Sequence, residues 1–211
     1  MKNLNNIQNV IFDMDGVIFN TENLCMQLWV ELADRHGFKK DVRNPMYESI
    51  GTNLQATTEI FKRYYGIDFP FQEYTEEVRV ATSAYINEQG IPIKQGAGAL
   101  LKYLKEAGFR IGLASSTRCQ TVEANLQKAR LYEYFDVIIG GDMVERSKPE
   151  PDIFLKCCKT LDIKPSETFV IEDSYNGIRA ANRAGTMPIM VPDRIIGVTA
   201  CKSTSGANTP S

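Results

Sequence analysis

Asn9-Val10-Ile11-Phe12-Asp13-Met14-Asp15-Gly16-Val17-Ile18 is a short apolar run that stops at two carboxylates and a glycine. Residues 10–12 have the β-branched and aromatic character of a buried strand. Stability alone gives no reason for the acids, because desolvating a carboxylate is costly unless a partner compensates it. The usual compensation is a metal ion, and the carboxyl end of a strand is where open parallel sheets carry their chemistry. Asp-x-Asp alone also occurs in sugar-nucleotide transferases, in calcium loops and on solvated turns. The rest of the chain has to decide.

Outward from this stretch, further apolar runs at 110–114, 137–139, 168–171 and 188–191 read as strands, each followed by polar residues. Helical patterns fill the gaps between the later runs. Residues 98–107 place Leu100, Tyr103, Leu104 and Ala107 at helical spacing and stop at Gly108; residues 117–130, 151–160 and 174–184 read the same way. Strand-helix alternation predicts a parallel sheet covered on both faces. The interval between the first two strands breaks that rhythm. Leu24-Leu28-Leu32, Leu54-Thr58-Phe61-Tyr65 and Tyr74-Val78-Ala81-Tyr85 are all helical patterns, more than one crossover needs. We expect a small helical bundle inserted after the first strand, with 16–20 and 88–96 as its linkers. A lid of that kind can close a site to water.

The totals exclude several classes. The 211 residues allow one large domain, or a medium domain with an insertion. A hydrophobic content of 43% is that of an ordinary globular chain, and a formal charge of −2 gives no electrostatic reason to expect nucleic acid or an anionic membrane. The start, Met1-Lys2-Asn3-Leu4-Asn5-Asn6, lacks an apolar signal core, and no stretch is long enough to span a bilayer, so a cytoplasmic location is expected. The five cysteines (Cys25, Cys119, Cys157, Cys158 and Cys201) show no Cys-x-x-Cys spacing, which argues for reduced thiols. His36 is the only histidine and sits where a helix is expected to end at Gly37, so it reads as a helix-terminus cation and argues against histidine triads and multi-histidine metal sites. The polar run at 194–211 is expected to be disordered.

Four strand ends deliver polar residues. The first gives Asp13 and Asp15. The second gives Ser115-Ser116-Thr117 at a helix start, where hydroxyls and unpaired N–H groups either seat an oxyanion or simply cap the helix. The third is followed by Gly140-Gly141-Asp142 and then Ser147-Lys148-Pro149-Glu150-Pro151-Asp152; the fourth gives Glu172-Asp173-Ser174. Together these are two pairs of acids, one lysine and a hydroxyl-rich loop. Carboxylates supply hard oxygen ligands for Mg²⁺, which keeps waters and binds substrate phosphate. Lysine and loop amides neutralise the remaining phosphate oxygens. One aspartate can then attack phosphorus while the other moves protons.

The ordered set Asp13-x-Asp15-Gly16-Val17, Ser115, Lys148-Pro149-x-Pro151-Asp152 and Glu172-Asp173 resembles the haloacid dehalogenase-like (HAD) hydrolases over residues 9–193. More narrowly it is similar to the subgroup of β-phosphoglucomutase and the small sugar-phosphate phosphatases. The resemblance implies an α/β fold, a Rossmannoid core with a parallel sheet at 1–19 and 92–193, and a helical cap at 20–91. It implies Asp13 as nucleophile and Asp15 as general acid and base. Ser115, Ser116 and Lys148 would bind the phosphoryl group. Mg²⁺ would be held by Asp13, the carbonyl of Asp15, Asp173 and, in some relatives, Glu172. Glu22, Gly51, Thr52 and Asn53 of the cap would face a substrate.

Dehalogenases of the superfamily lack the second acid, and no lysine here matches the imine-forming lysine of phosphonatases. Two mutase features are also missing: Cys25 stands where β-phosphoglucomutase has a cap histidine, and Leu54 where it has a phosphate-gripping arginine. The expectation is therefore a Mg²⁺-dependent, monomeric phosphatase of a small phosphorylated metabolite, with neither nucleic acid nor membrane as partner. A β-phosphoglucomutase is the alternative. A phospho-accepting signalling module is more remote, since receivers put their acidic pair early and their lysine on the last strand.

Overall fold

A computed structural model describes residues 7–49 and 54–191. Gly51, Thr52, Asn53, Cys201 and the tail at 194–211 lie outside the described residues. Five parallel strands form one sheet in the order β3-β2-β1-β4-β5: β1 is Asn9–Phe12, β2 Arg110–Ala114, β3 Val137–Ile139, β4 Thr168–Glu172 and β5 Met187–Met190. The chain builds β2 and β3 on one side of β1, then returns to build β4 and β5 on the other. That reversal opens a crevice at the carboxyl end of β1, the place where open α/β sheets bind ligands.

The strand sequences explain the layering. Val10 and Phe12 face one way and join a cluster with Ile111, Leu113, Leu101 and Leu126. Ile11 faces the other way, into a cluster with Ile139, Phe154, Cys157 and Val170. Alternate residues of β1 thus reach two cores, as a sheet with two covered faces requires. The covering helices are α5 (Ala97–Glu106), α6 (Cys119–Lys128), α7 (Asp152–Leu161) and α8 (Tyr175–Arg183).

Four helices lie between β1 and α5: α1 (Thr21–Arg35), α2 (Arg43–Glu48), α3 (Leu54–Tyr65) and α4 (Phe71–Gln89). They share a separate hydrophobic cluster in which Trp29 lies against Phe61 and Phe71, at ring-centroid distances of 5.1 and 5.9 Å. The chain enters and leaves this insertion through one seam. The Asn20 N–H donates to the Pro92 carbonyl at 2.8 Å, the Lys94 N–H donates to the Ile18 carbonyl at 2.9 Å, and Phe19 bridges to Ile93. Among the described residues no helix is long and apolar enough to cross a membrane.

Two expectations shift. The short helix α2 has no counterpart in the sequence reading, because six residues around a proline show no usable periodicity. The helix expected from Thr117 begins at Cys119 instead, since residues 115–118 are held by neighbouring loops.

Candidate active site

Asp13 leaves the central strand with its N–H donating to the Ile171 carbonyl of β4 at 2.9 Å. Asp13 is 7% exposed, and its carboxylate accepts from Lys148 Nζ at 2.5 Å. The same ammonium reaches the Ala114 carbonyl at 3.2 Å and Glu172 Oε1 at 2.8 Å, while lying over the Phe154 ring. Lys148 is therefore fixed in three directions, across the ends of β1, β2 and β4. Glu172 accepts with its other oxygen from the Ser174 N–H (2.8 Å) and hydroxyl (2.9 Å). Both of its carboxylate oxygens are already engaged.

Burial would strip Lys148 of its proton, but Asp13 and Glu172 more than offset it and hold the ammonium charged. The acids fare differently. Burial pushes Asp13 above the usual carboxylate range, with Glu172 and Asp15 adding to the effect and Lys148 opposing it. Burial, then Asp13, Glu172 and Glu22, push Asp173 up to about 8. One ammonium is too little positive charge for Asp13, Glu172 and Asp173 together. Gly16 makes this crowding possible: at φ +76° it turns the chain, and a Cβ there would lie 2.0 Å from Asp173 Oδ2.

Asp15 stands one turn further out, half-buried, with a hydroxyl on each carboxylate oxygen. Thr21 Oγ1, from the first turn of α1, donates to Oδ1 at 2.9 Å; Thr117 Oγ1, from the loop after β2, donates to Oδ2 at 3.1 Å. Ser115 is buried beside them, and its Oγ accepts from the Thr117 N–H at 3.1 Å. Ser116 is exposed on the same loop. The structure thus gathers Asp13, Asp15, Ser115, Lys148, Glu172 and Asp173 at one end of the sheet. Thr21 was not singled out in the sequence, and Thr117 only as a helix-start hydroxyl; contacts over 6 and 102 residues leave no local signature.

From this end a cleft of about 880 Å³ runs between the helical insertion and the sheet. Asp15, Glu22, Cys25 and Trp29 line its inner part, and α4 and α6 form its walls, joined where Lys128 Nζ donates to Asn87 Oδ1 at 2.6 Å. Burial and the Glu22 charge raise the Cys25 thiol, so it presents a neutral S–H and not a base. Among the described residues no group of three or more His, Cys, Asp or Glu side chains forms a ready metal cage. Mg²⁺ needs less: one or two carboxylates, with waters and substrate oxygens completing its shell. Asp13 and Asp173, two carboxylates short of positive charge, fit that need.

The family model for haloacid dehalogenase-like hydrolases matches residues 10–191. The protein CbbY of Cereibacter sphaeroides is 31% identical over 194 residues, covering 88% of this chain and 84% of the relative. The phosphorylated carbohydrates phosphatase of Thermotoga maritima is 29% identical over 194 residues, covering 90% and 84%. A crystal structure of CbbY from Rhodobacter sphaeroides in complex with xylulose-(1,5)bisphosphate has a TM-score of 0.64 at 29% identity, over 88% of this chain and 86% of that one.

Proposed function

The chain belongs to the haloacid dehalogenase-like hydrolases and is a phosphoric monoester hydrolase, and from that premise we propose that it dephosphorylates a small phosphorylated metabolite, a sugar phosphate, through an aspartyl-phosphate on Asp13 with Mg²⁺ as cofactor. The observation that carries this reading is the buried Lys148 ammonium bonded at once to Asp13 and Glu172. It fixes the direction of the attacking carboxylate and leaves a positive charge beside the phosphoryl oxygens.

In the first half-reaction an Asp13 oxygen attacks phosphorus. The bond from phosphorus to the ester oxygen breaks, and Asp15 gives that oxygen a proton. In the second, Asp15 takes a proton from a water molecule whose oxygen attacks phosphorus; the Asp13–phosphorus bond breaks and inorganic phosphate leaves. Lys148 and the Ser115 loop hold the transferring oxygens through both steps. Asp13, Asp173 and the Asp15 carbonyl would hold Mg²⁺, which when bound would supply the positive charge that keeps Asp13 ionised and offsets charge on the phosphoryl group. The helical insertion acts as a cap over the cleft, and Glu22, which lines that cleft, faces the organic part of the substrate.

Asp13→Asn is expected to abolish phosphate release from a panel of sugar phosphates while leaving the far-ultraviolet circular dichroism unchanged. Full activity in that variant would sink the mechanism. A neutral thiol at Cys25 favours a phosphatase over a mutase. With β-glucose 1-phosphate and a trace of its bisphosphate, free phosphate should therefore outrun glucose 6-phosphate.

A further inference from the structure

Gly140-Gly141-Asp142 has no part in the reaction above, yet it grips the loop that carries Thr117. The Gly141 N–H donates to the Thr117 carbonyl at 2.8 Å, and the Ser115 N–H donates to the Ile139 carbonyl at 3.1 Å. Asp142 Oδ1 accepts from the Cys119 N–H at 2.8 Å. The approach is too close for side chains: a Cβ on Gly141 would sit 2.2 Å from the Ser116 carbonyl oxygen, and one on Gly140 would sit 2.3 Å from the Cys119 nitrogen.

This grip fixes where Thr117 stands. An N-cap hydroxyl ordinarily bonds its helix's first N–H groups, and Thr117 stands one residue before the N-cap. Here the N-cap residue, Arg118, makes no side-chain capping bond, and Asp142 serves the Cys119 N–H from another loop. The Thr117 hydroxyl donates across the site to Asp15. Its place is set on both sides of the peptide, by Ser115 Oγ on its N–H and by Gly141 on its carbonyl. Thr21 bonds the other Asp15 oxygen, but from α1, so that bond depends on where the helical insertion sits.

We propose that Thr117 is a positioning residue for Asp15, and that the Gly140-Gly141-Asp142 clamp exists to hold its hydroxyl there. The proposal rests on the reading of Asp15 as acid and base. A fixed hydroxyl sets the plane of the carboxylate, and hence the line along which the proton travels to the leaving oxygen. Its contribution should grow with the leaving group's need for a proton.

The test compares kcat and KM for phenyl phosphate, a poor leaving group, and p-nitrophenyl phosphate, a good one, with Mg²⁺ present. Thr117→Val should lower kcat on phenyl phosphate by about 10- to 100-fold, part of what a positioned acid supplies, and by less than about 3-fold on p-nitrophenyl phosphate. KM should hold, and Thr117→Ser should restore the rate. In an Asp15→Asn background, Thr117→Val should cost nothing further. Equal losses on both esters, no loss, or no rescue by serine would overturn the positioning role and leave the Asp15 reading standing. Equal losses from Asp15→Asn itself would remove that reading and the proposal with it. Should the valine variant not fold, Thr117→Ala is measured in the same way.

Discussion

Lys148 has three polar contacts and an aromatic face for one buried charge, so its loss leaves Asp13 and Glu172 facing each other without a cation. Breaking a buried pair by removing one partner costs about 3–5 kcal/mol. Lys148→Met should lower stability in urea unfolding by about that amount at pH 8, and by less at pH 5, where the acids of this centre hold their protons more readily. The Lys-Pro-x-Pro-Asp segment made this lysine legible, because a lysine between a loop and a proline-started helix has a fixed outlet. The tether of Glu172 to Ser174 was less visible: an acid beside an acid reads as a second ligand until geometry shows its oxygens already bonded.

The strands were legible because each is a brief apolar run closed by polar residues, and in the central strands β1 and β2 burial on both faces leaves little room for any other composition. Helix starts were less so. At residues 115–118 a hydroxyl-rich segment could cap its own helix or bond elsewhere, and the choice lies with Gly141, which is distant in sequence and invisible to local patterning. The helical insertion gives a test at this scale. Phe61 is 1% exposed and packs on Trp29, Tyr65, Phe69 and Phe71. Phe61→Ala should cost about 3–5 kcal/mol, seen as an earlier loss of tryptophan fluorescence on heating. The fluorescence reports on the insertion because Trp29 is the chain's one tryptophan and lies in this cluster.

For the molecule as a whole, the acid excess at the sheet end links metal, pH and stability. Asp173 is raised from 3.8 to about 8 on folding, so the folded chain binds a proton that the unfolded chain releases. The resulting stability is fully present below 3.8 and is lost as pH rises through about 8. Metal-free protein should therefore lose melting temperature across that window, and the increment given by Mg²⁺ should grow over the same range. Scanning calorimetry with and without chelator checks both; an increment independent of pH would count against a cation among these carboxylates. The seam where residues 18–20 meet 92–94 carries a different implication. To the sheet, the helical insertion is an excursion that returns to within one hydrogen bond of its departure. Its length and content can change without altering any distance the core must span. On the proposed mechanism, the residues that would break the phosphate ester and those that would choose it are thus free to diverge at separate rates, and a new specificity can arrive as a graft at one junction.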